Sequence, residues 1–553
     1  MTAGSVARGQ EGLHARGPDR LALRITLTSA LAILTACETM PKAISNLPFA
    51  DKLTSAPSVQ GALPPPEART WPDNYADVMN QRARGYGLAR MPNAEAYLNA
   101  LHARIKTLAG VPQWPGRVYV LGSPTLDAYV TSAGNIYLSQ MWLASAESED
   151  EIVALLSHEF SHVYLHYHQI DASVQEGDQA AGQAAFTVGL IEKPVRGWNH
   201  TDTLSTSYAL GRDVIASAWG RSQESAADNL GLNLSLKLGY GYEAGFKTLL
   251  ERIASWEEQN AARQKTLRAE LQDPTGQATA ARVMQEQARK VVPNSGALNA
   301  PIKEASASVG NWVAQSRDQL GQWWKSANSS HPDIAARMDT LARSVDALPP
   351  TREDPAGRVA PWKQMQSDPQ TATILNNYRL ATQALANLED PKAPALAQQA
   401  ASEPTARHAL PLLALYKSRL AQPARAVAVN AKDPGAVLDA NLTSDADRSW
   451  AVYLERAMQL QSSRQYPAAR RVMDTGFAYF DTARDAWPEA IRFTGQTQGW
   501  PQAKTLAASC AKRFAGMAAA CNEAASSPAE QTAANADRLR KERQVVDQVI
   551  KTR

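Results

Sequence analysis

The stretch LSHEFSHVYLHYH, residues 156–168, constrains the fold more than any other part of the chain. It contains an H-E-x-x-H pattern formed by His158, Glu159 and His162. Residues four apart lie on one face of an α-helix, so both imidazoles can bind one metal ion while the glutamate reaches a water beside it. Zinc, the metal that this pattern usually holds, needs a third protein ligand from elsewhere in the chain.

The histidines that follow the pattern are poor candidates for that third ligand. The helix is predicted to begin at Ser148, with Glu151 completing a capping box. His168 stands at the metzincin spacing, but metzincins have a glycine where this chain has Leu165, and that glycine ends the helix in a left-handed conformation. Leucine disfavours that conformation, so the helix is expected to continue. His168 would then face away, and His166 would lie too far along the helix.

A better candidate lies in RSQESAADNLGLNLSLKLGY, residues 221–240, which has the pattern of a second helix. Glu224 and Asp228 are four apart and share one face of that helix. A glutamate can supply the third zinc bond, and an aspartate one turn later can hold the ring N–H of a ligating histidine. Such a pair alone usually belongs to a solvated helix, so the prediction depends on the upstream H-E-x-x-H.

These segments together resemble metallopeptidase family forty-eight, the gluzincin family of HtpX, BepA and the CAAX prenyl endopeptidases. The resemblance covers about residues 90 to 345 and rests on four motifs in a fixed order. They are Leu126-Asp127-Ala128-Tyr129, H-E-F-S-H, E-S-A-A-D-N-L-G with Gly239-Tyr240, and Ser330-His331-Pro332 with Arg337. The resemblance implies one zinc ion per chain, bound by His158, His162 and Glu224, with a zinc-bound water activated by Glu159.

The resemblance also implies roles for residues around the cleft. His331 and Arg337 would face it, steadying the oxyanion or gating access; the alternative is a helix N-terminus with a buried arginine. Asp127, Ala128 and Tyr129 lie on a predicted strand that can pair with an extended substrate. Such pairing recognises the peptide backbone more than the side chains, which favours unfolded or misassembled proteins as substrates.

The N-terminal residues indicate export. Residues 1–37 have basic residues, a short apolar run and the ending Leu34-Thr35-Ala36-Cys37, which resembles a bacterial lipobox in which Cys37 is lipidated. The alternative is an ordinary signal with an incidental cysteine. Residues 38–75 are rich in proline and predict an extended tether. Since Glu38 follows the cysteine, we expect a periplasmic protein anchored in the outer rather than the inner membrane.

Cysteine usage supports export. Besides Cys37 the chain contains two cysteines, Cys510 and Cys521. An oxidising periplasm would allow them to form a disulfide. Two buried free thiols in a helical domain are the alternative, and the sequence leaves both open.

Length and composition predict several domains and exclude one partner class. The chain has 553 residues, 44% apolar and 20% charged, which is ordinary for a globular protein and too long for one domain. The net charge of +3 gives no reason to expect nucleic acid binding. We predict a mainly α zincin-like protease domain with a small β-sheet (α+β), followed by an all-α helical repeat domain. The predicted ranges are 76–348 with a helical insertion at 256–325, a linker at 349–375, repeats at 376–527 and a charged tail at 528–553.

The repeats are predicted from two matched segments, RQYPAARRVMD and QGWPQAKTLAAS. Tyr466 aligns with Trp500 and Ala469 with Ala503, both offsets being 34 residues, the tetratricopeptide period. An irregular helical bundle is the alternative. Repeat arrays present a surface for a protein partner.

The domain order predicts a membrane-anchored periplasmic zinc endopeptidase, similar to the BepA-like quality-control proteases. Its substrates would be unfolded or misassembled envelope proteins. The alternative, from a different functional class, is an outer-membrane assembly chaperone or adaptor that acts through the repeats and has a latent zinc site.

Overall fold

A small sheet and the helices that cover it form the first part of the structure. The computed structural model describes residues 58–165, 221–256, 258–259, 334–349, 355–388, 390–421, 433–527 and 529–530. The signal with Cys37, His166, His168, His331, most of the predicted insertion and most of the predicted tail lie outside the described residues. All described residues belong to one compact unit. None of their helices is long and apolar enough to cross a bilayer.

The sheet has three strands, β1 (Val118–Leu121), β2 (Ala128–Val130) and β3 (Ile136–Ser139), in the order β1-β3-β2. β1 pairs with β3 in parallel, and β2 pairs antiparallel to β3 with Tyr129 opposite Tyr137. β2 is therefore an edge strand. The predicted substrate residues Ala128 and Tyr129 lie on it, whereas Asp127 precedes it and its buried carboxylate accepts a hydrogen bond of 2.8 Å from the Ser123 hydroxyl.

The helices around the sheet carry the sequence motifs. In chain order they are α1 (Asn74–Arg82), α2 (Pro92–Leu108), α3 (Gln140–Ser145), α4 (residues 149–165), α5 (Arg221–Lys237), a π-turn (Glu243–Lys247) continued by α6 (residues 248–256), and α7 (Ile334–Asp346). The predicted cap of α4 is confirmed, because the backbone N–H of Glu151 donates to the Ser148 hydroxyl at 3.2 Å. α4 is helical up to Leu165, the last described residue there, and its predicted continuation to His166 and His168 lies outside the described residues.

The described part of the predicted tether lies against the helices that follow it. Asn233 on α5 donates to the carbonyl of Ser58 at 2.8 Å, and the Tyr164 hydroxyl on α4 donates to the carbonyl of Pro64 at 2.7 Å. Arg69 donates to the carbonyl of Val163 at 2.6 Å and stacks on Trp114, with 4.0 Å between the guanidinium carbon and the ring centroid. From residue 58 onward this segment is therefore packed structure and not a free spacer.

The predicted linker, 349–375, is also packed where it is described. It contains α8 (Val359–Gln366) and the first turns of α9 (Pro369–Ala386). Trp362 on α8 is fully buried and donates its indole N–H to the carbonyl of Ala146, just before α4, at 2.8 Å. The composition suggested a linker because proline and polar residues dominate it, but one buried tryptophan joins the segment to the core.

Eight further α-helices follow in the described residues. They are α10 (Ala393–Ala400), α11 (Ala409–Ala421), α12 (Asp439–Leu442), α13 (Trp450–Ser462), α14 (Tyr466–Tyr479), α15 (Trp487–Gln498), α16 (Trp500–Arg513) and α17 (Ala518–Ala524). Apolar side chains of α9, α10 and α11 belong to the same hydrophobic core as α2 and α4. Cys510 on α16 and Cys521 on α17 form a disulfide, the first of the two alternatives. The predicted class, mainly helical with a small sheet, is confirmed at this level.

We predict that Trp362→Ala destabilises the whole protein. Truncating a fully buried tryptophan removes apolar contacts and leaves a cavity, so the free energy of unfolding should fall by about 3–5 kcal/mol. Urea unfolding followed by circular dichroism measures it. Val359→Ala is the matched control on the same helix, because Val359 is 48% exposed and should change stability by less than about 0.5 kcal/mol. Equal, small effects of both substitutions would mean that the segment is a linker after all.

Candidate metal centre

Helices α4 and α5 bring three metal-ligating side chains together. His158, His162 and Glu224 each offer one atom, and these atoms all lie within 4.8 Å of one another. The Nε2 atoms of the two histidines are 3.1 Å apart. Glu224 oxygens lie 3.6 Å from His158 Nε2 and 3.4 Å from His162 Nε2. The structure thus assembles the three residues that the sequence indicated as ligands.

These separations fit a small tetrahedral ion. Two atoms that each bind zinc at about 2.0–2.1 Å with a tetrahedral angle between them are roughly 3.3 Å apart. The three distances lie close to that value, the two from Glu224 starting at different oxygens of its carboxylate. Two imidazoles and a carboxylate are also the donor set of a catalytic zinc site with one open position. The residues present therefore fit zinc.

Glu159 lies on the same helix, next to His158. Its side chain is largely buried, with 8% exposure, in the helical turn that holds both histidines. A step of one residue rotates a side chain by about 100° around the helix axis, which places Glu159 beside the metal-facing stripe and not on it. Helix geometry thus places Glu159 next to the three ligands, and its role as the base stays a prediction.

Asp228 holds the ligand His158 from behind. Its Oδ1 lies 3.0 Å from His158 Nδ1, while the other ring nitrogen, Nε2, faces Glu224 and His162. A carboxylate at one ring nitrogen fixes the orientation of the imidazole and leaves the other nitrogen free for the metal. The predicted role of Asp228 agrees with this arrangement.

Arg337 on α7 completes the arrangement. Its Nε and one terminal nitrogen donate to the two oxygens of Asp228, both at 2.7 Å, and its other terminal nitrogen lies 3.2 Å from Glu224 Oε2. The sequence left two roles open for Arg337: to face the cleft and steady the oxyanion or gate access, or to be a buried arginine. Its guanidinium is engaged by two buried carboxylates, which agrees with the second, so Arg337 positions the ligand Glu224 and also Asp228, the residue behind the ligand His158.

Charge compensation explains how so many ionisable groups are buried together. Burial by itself would raise the pKa of Asp228, but the charge of Arg337 and the hydrogen bonds from His158 and Arg337 hold that pKa below its ordinary value. Burial would lower the pKa of His158, but the hydrogen bond and charge of Asp228, with that of Glu224, raise it. Protons and a metal ion compete for His158, so metal affinity should fall in acid.

Gly231 is a site residue whose role sequence reasoning missed. A Cβ atom there would come within 2.8 Å of the Phe246 ring, 3.0 Å of the His158 backbone nitrogen and 3.1 Å of its Cα. The missing side chain thus lets α5 approach α4 directly at the first ligand. The signal was present, because Gly231 is seven residues after Glu224 and so falls on the metal-facing stripe of α5.

Comparison with protein families agrees with the geometry of the metal-ligating residues. The model of Peptidase family M48 matches residues 92–345, from the start of α2 to the last turn of α7. Residues 92–345 form a domain of peptidase family M48. The matched range contains all three ligands together with Glu159, Asp228, Gly231 and Arg337, so the metal centre lies in an M48 metallopeptidase domain.

One curated relative is similar over part of this chain. Mitochondrial metalloendopeptidase OMA1 of Schizosaccharomyces pombe is 25% identical over 199 residues. The aligned region is 35% of this chain and 53% of the relative, so the chain spans about half the length of the curated relative it matches.

We predict that Asp228→Asn weakens zinc binding by about 10- to 100-fold. The amide keeps the size of the side chain but loses the charge that favours one orientation of His158 and that pairs with Arg337. Competition with a chromophoric chelator measures the affinity. Asp339→Asn is the matched control, since Asp339 is 65% exposed in a surface ion pair on α7. Zinc affinity that is equal in both variants and the wild type would show that Asp228 does not position the ligand.

We predict that Gly231→Ala separates the two metal-bearing helices. The new methyl group would be forced against the Phe246 ring and the His158 backbone, which should cost about 1–3 kcal/mol of stability and weaken zinc binding. Thermal unfolding with and without zinc measures both effects. Gly61→Ala, where the nearest atom to the added Cβ would be 3.4 Å away, is the control. If Gly231→Ala matched that control, the close approach would not matter.

Proposed function

We propose that the protein is a zinc-dependent endopeptidase that hydrolyses peptide bonds of unfolded or misassembled envelope proteins. The observation that carries the proposal is the convergence of His158, His162 and Glu224 within 4.8 Å, on two helices of an M48 domain. Glu159 lies next to the ligand His158 and is not itself one of the three ligands, which suits a general base. The relative named as a metalloendopeptidase supports the same reaction class.

Zinc, when bound by these three residues, supplies a Lewis acid that acidifies water and polarises a carbonyl. The residues of the chain do the rest. Glu159 accepts a proton from the attacking water and passes it to the amine that leaves, which is general base and then general acid catalysis. Asp228 and Arg337 keep His158 in one orientation throughout, so that the site is organised before substrate arrives.

The edge strand β2 supports an extended peptide as substrate. Within the described residues, β2 pairs with β3 on one side and with no strand on the other. An extended chain can add to such an edge through backbone hydrogen bonds. Folded proteins rarely offer an extended, unpaired segment, so this binding mode selects unfolded or misassembled substrates.

We further propose that the protein is anchored in the outer membrane by lipid on Cys37 and acts in the periplasm. The lipobox-like ending Leu34-Thr35-Ala36-Cys37 supports this location. The disulfide between Cys510 and Cys521 agrees with it, because disulfides persist in oxidising compartments.

The helices after residue 433 support a tetratricopeptide-like repeat that binds a protein partner. α14 buries Ala469, Met473 and Gly476, and α16 buries Ala503, Ala507 and Cys510. Each residue of the second set follows its counterpart by 34 positions, so the period holds in the packing as well as in the sequence. α13 packs against α14, and α15 against α16, as paired helices of a repeat would.

The test is cleavage of an unfolded protein by the zinc-loaded full chain. We predict that Glu159→Gln lowers the rate by at least about 10²-fold while zinc content is unchanged, because glutamine cannot accept the proton. Glu147→Gln is the matched control: Glu147 lies just before α4 with a side chain 74% exposed, and its variant should cleave like the wild type. Equal cleavage by wild type and Glu159→Gln would reject the enzymatic proposal and favour the assembly chaperone with a latent site.

A further inference from the structure

The last turn of helix α1 is buried on all sides, although the helix has only nine residues. Its last four residues, Met79 to Arg82, are each at most 9% exposed. Successive residues of a helix point about 100° apart, so four buried in a row cover every direction around the axis. A helix that packed on one surface would bury a single stripe. α1 therefore lies between two bodies.

The first body is the sheet with the edge strand. Asp77 and Gln81 are four apart on one face of α1. Gln81 Oε1 accepts a hydrogen bond of 2.7 Å from the Tyr129 hydroxyl in the middle of β2. One oxygen of Asp77, Oδ2, accepts three hydrogen bonds from side chains of the sheet and its turn: from Thr131 at 3.0 Å, Asn135 at 2.7 Å and Tyr137 at 2.7 Å.

The tyrosines on this face are stacked across the sheet. The ring centroids of Tyr129 on β2 and Tyr137 on β3 are 5.6 Å apart, and Tyr137 lies 5.4 Å from Tyr119 on β1. β2 has only three residues and a single paired neighbour, so it has few backbone hydrogen bonds to fix its position. The contacts of Tyr129 with Tyr137 and Gln81 therefore do much to fix the position of β2.

The second body is the helical region around α13 and α14. The Arg82 guanidinium donates to the carbonyl of Arg448 at 3.2 Å, to the carbonyl of Asp445 at 2.9 Å and to the Tyr479 hydroxyl at 2.8 Å. Arg84, just after α1, forms an ion pair with Asp485. Met79 of α1 and Ala83, just after it, belong to the same apolar cluster as Trp450, Tyr453 and Phe480 of this region.

We propose that α1 is a positioning element through which the helical region sets the placement of the substrate strand β2. Gln81 and Asp77 are the positioning residues on the strand side, and Arg82 anchors them on the other side. The effect of this inference on catalysis rests on the proposed function. A displaced β2 would carry a paired substrate away from the metal, and small misplacements of a substrate strongly lower the reaction rate. A partner protein bound to the repeats would then affect the position of β2 through α1.

The test uses Tyr479→Phe in the full chain. This change removes the hydroxyl that accepts from Arg82 and donates to Asp445, and keeps the ring. We expect hydrogen exchange of backbone amides in residues 126–132 to accelerate by roughly threefold to tenfold, although Tyr479 is far away in sequence. Gln81→Met, at the other end of the path, should accelerate the same amides. Tyr466→Phe is the matched control on α14, since Tyr466 is 57% exposed.

The second measurement is cleavage of two substrates: an unfolded protein, which can pair along β2, and a dipeptide amide, which is too short to do so. Tyr479→Phe should raise KM for the unfolded protein by roughly threefold to tenfold, and leave the dipeptide rate and the zinc content unchanged. A role confined to overall stability would lower both rates together. Unchanged amide exchange in residues 126–132 of Tyr479→Phe would overturn the proposal, whether or not the wild type cleaves either substrate. If exchange accelerates in that variant but the wild type cleaves neither substrate, only the proposed function is rejected.

Discussion

The contact between Asp228 and His158 is the interaction on which the rest of the structure depends. It joins α4, which carries two ligands, to α5, which carries the third, and neither helix could hold a catalytic zinc alone. Two conditions make the contact possible. Gly231 leaves room for the helices to approach, and Arg337 supplies the positive charge without which a fully buried carboxylate would be strongly destabilising. The metal site is thus a product of helix packing and charge compensation as much as of the ligands themselves.

Segments distant in sequence support this pair of helices. Arg69 and Pro64 contact the last described turn of α4, and Ser58 is held by Asn233 on α5. On the opposite end, Trp362 donates to the carbonyl of Ala146, just before α4 begins. Polar contacts of this kind fix these segments against the two helices. Rigidity at the ligands matters because a catalytic site works best when it is organised before substrate binds.

Much of the site could be predicted from sequence because its information is local. Residues four apart share a helix face, so His158 with His162, and Glu224 with Asp228, could each be recognised as pairs, and Leu165 argued against His168. The role of Arg337 could not be predicted, because nothing near it in sequence shows that its partners are Asp228 and Glu224. The same reason explains the segments that were expected to be free: proline-rich composition indicated a spacer, whereas Trp362 and Arg69 find partners up to 216 residues away. Local sequence patterns predict secondary structure and the helix face on which a motif lies. Contacts between segments distant in sequence determine how those segments pack.

Ligation by two histidines and Glu224, and not by a third histidine, is the claim from which the metal site and its mechanism follow. X-ray absorption at the zinc edge of the zinc-loaded full chain tests it most directly, because multiple scattering from imidazole rings counts the histidine ligands. Two imidazoles with the remaining ligands oxygen are predicted, falling to fewer ligands or to no bound zinc in Glu224→Ala. Three imidazoles in the wild type, unchanged in Glu224→Ala, would contradict it and would restore a histidine such as His168 as the third ligand.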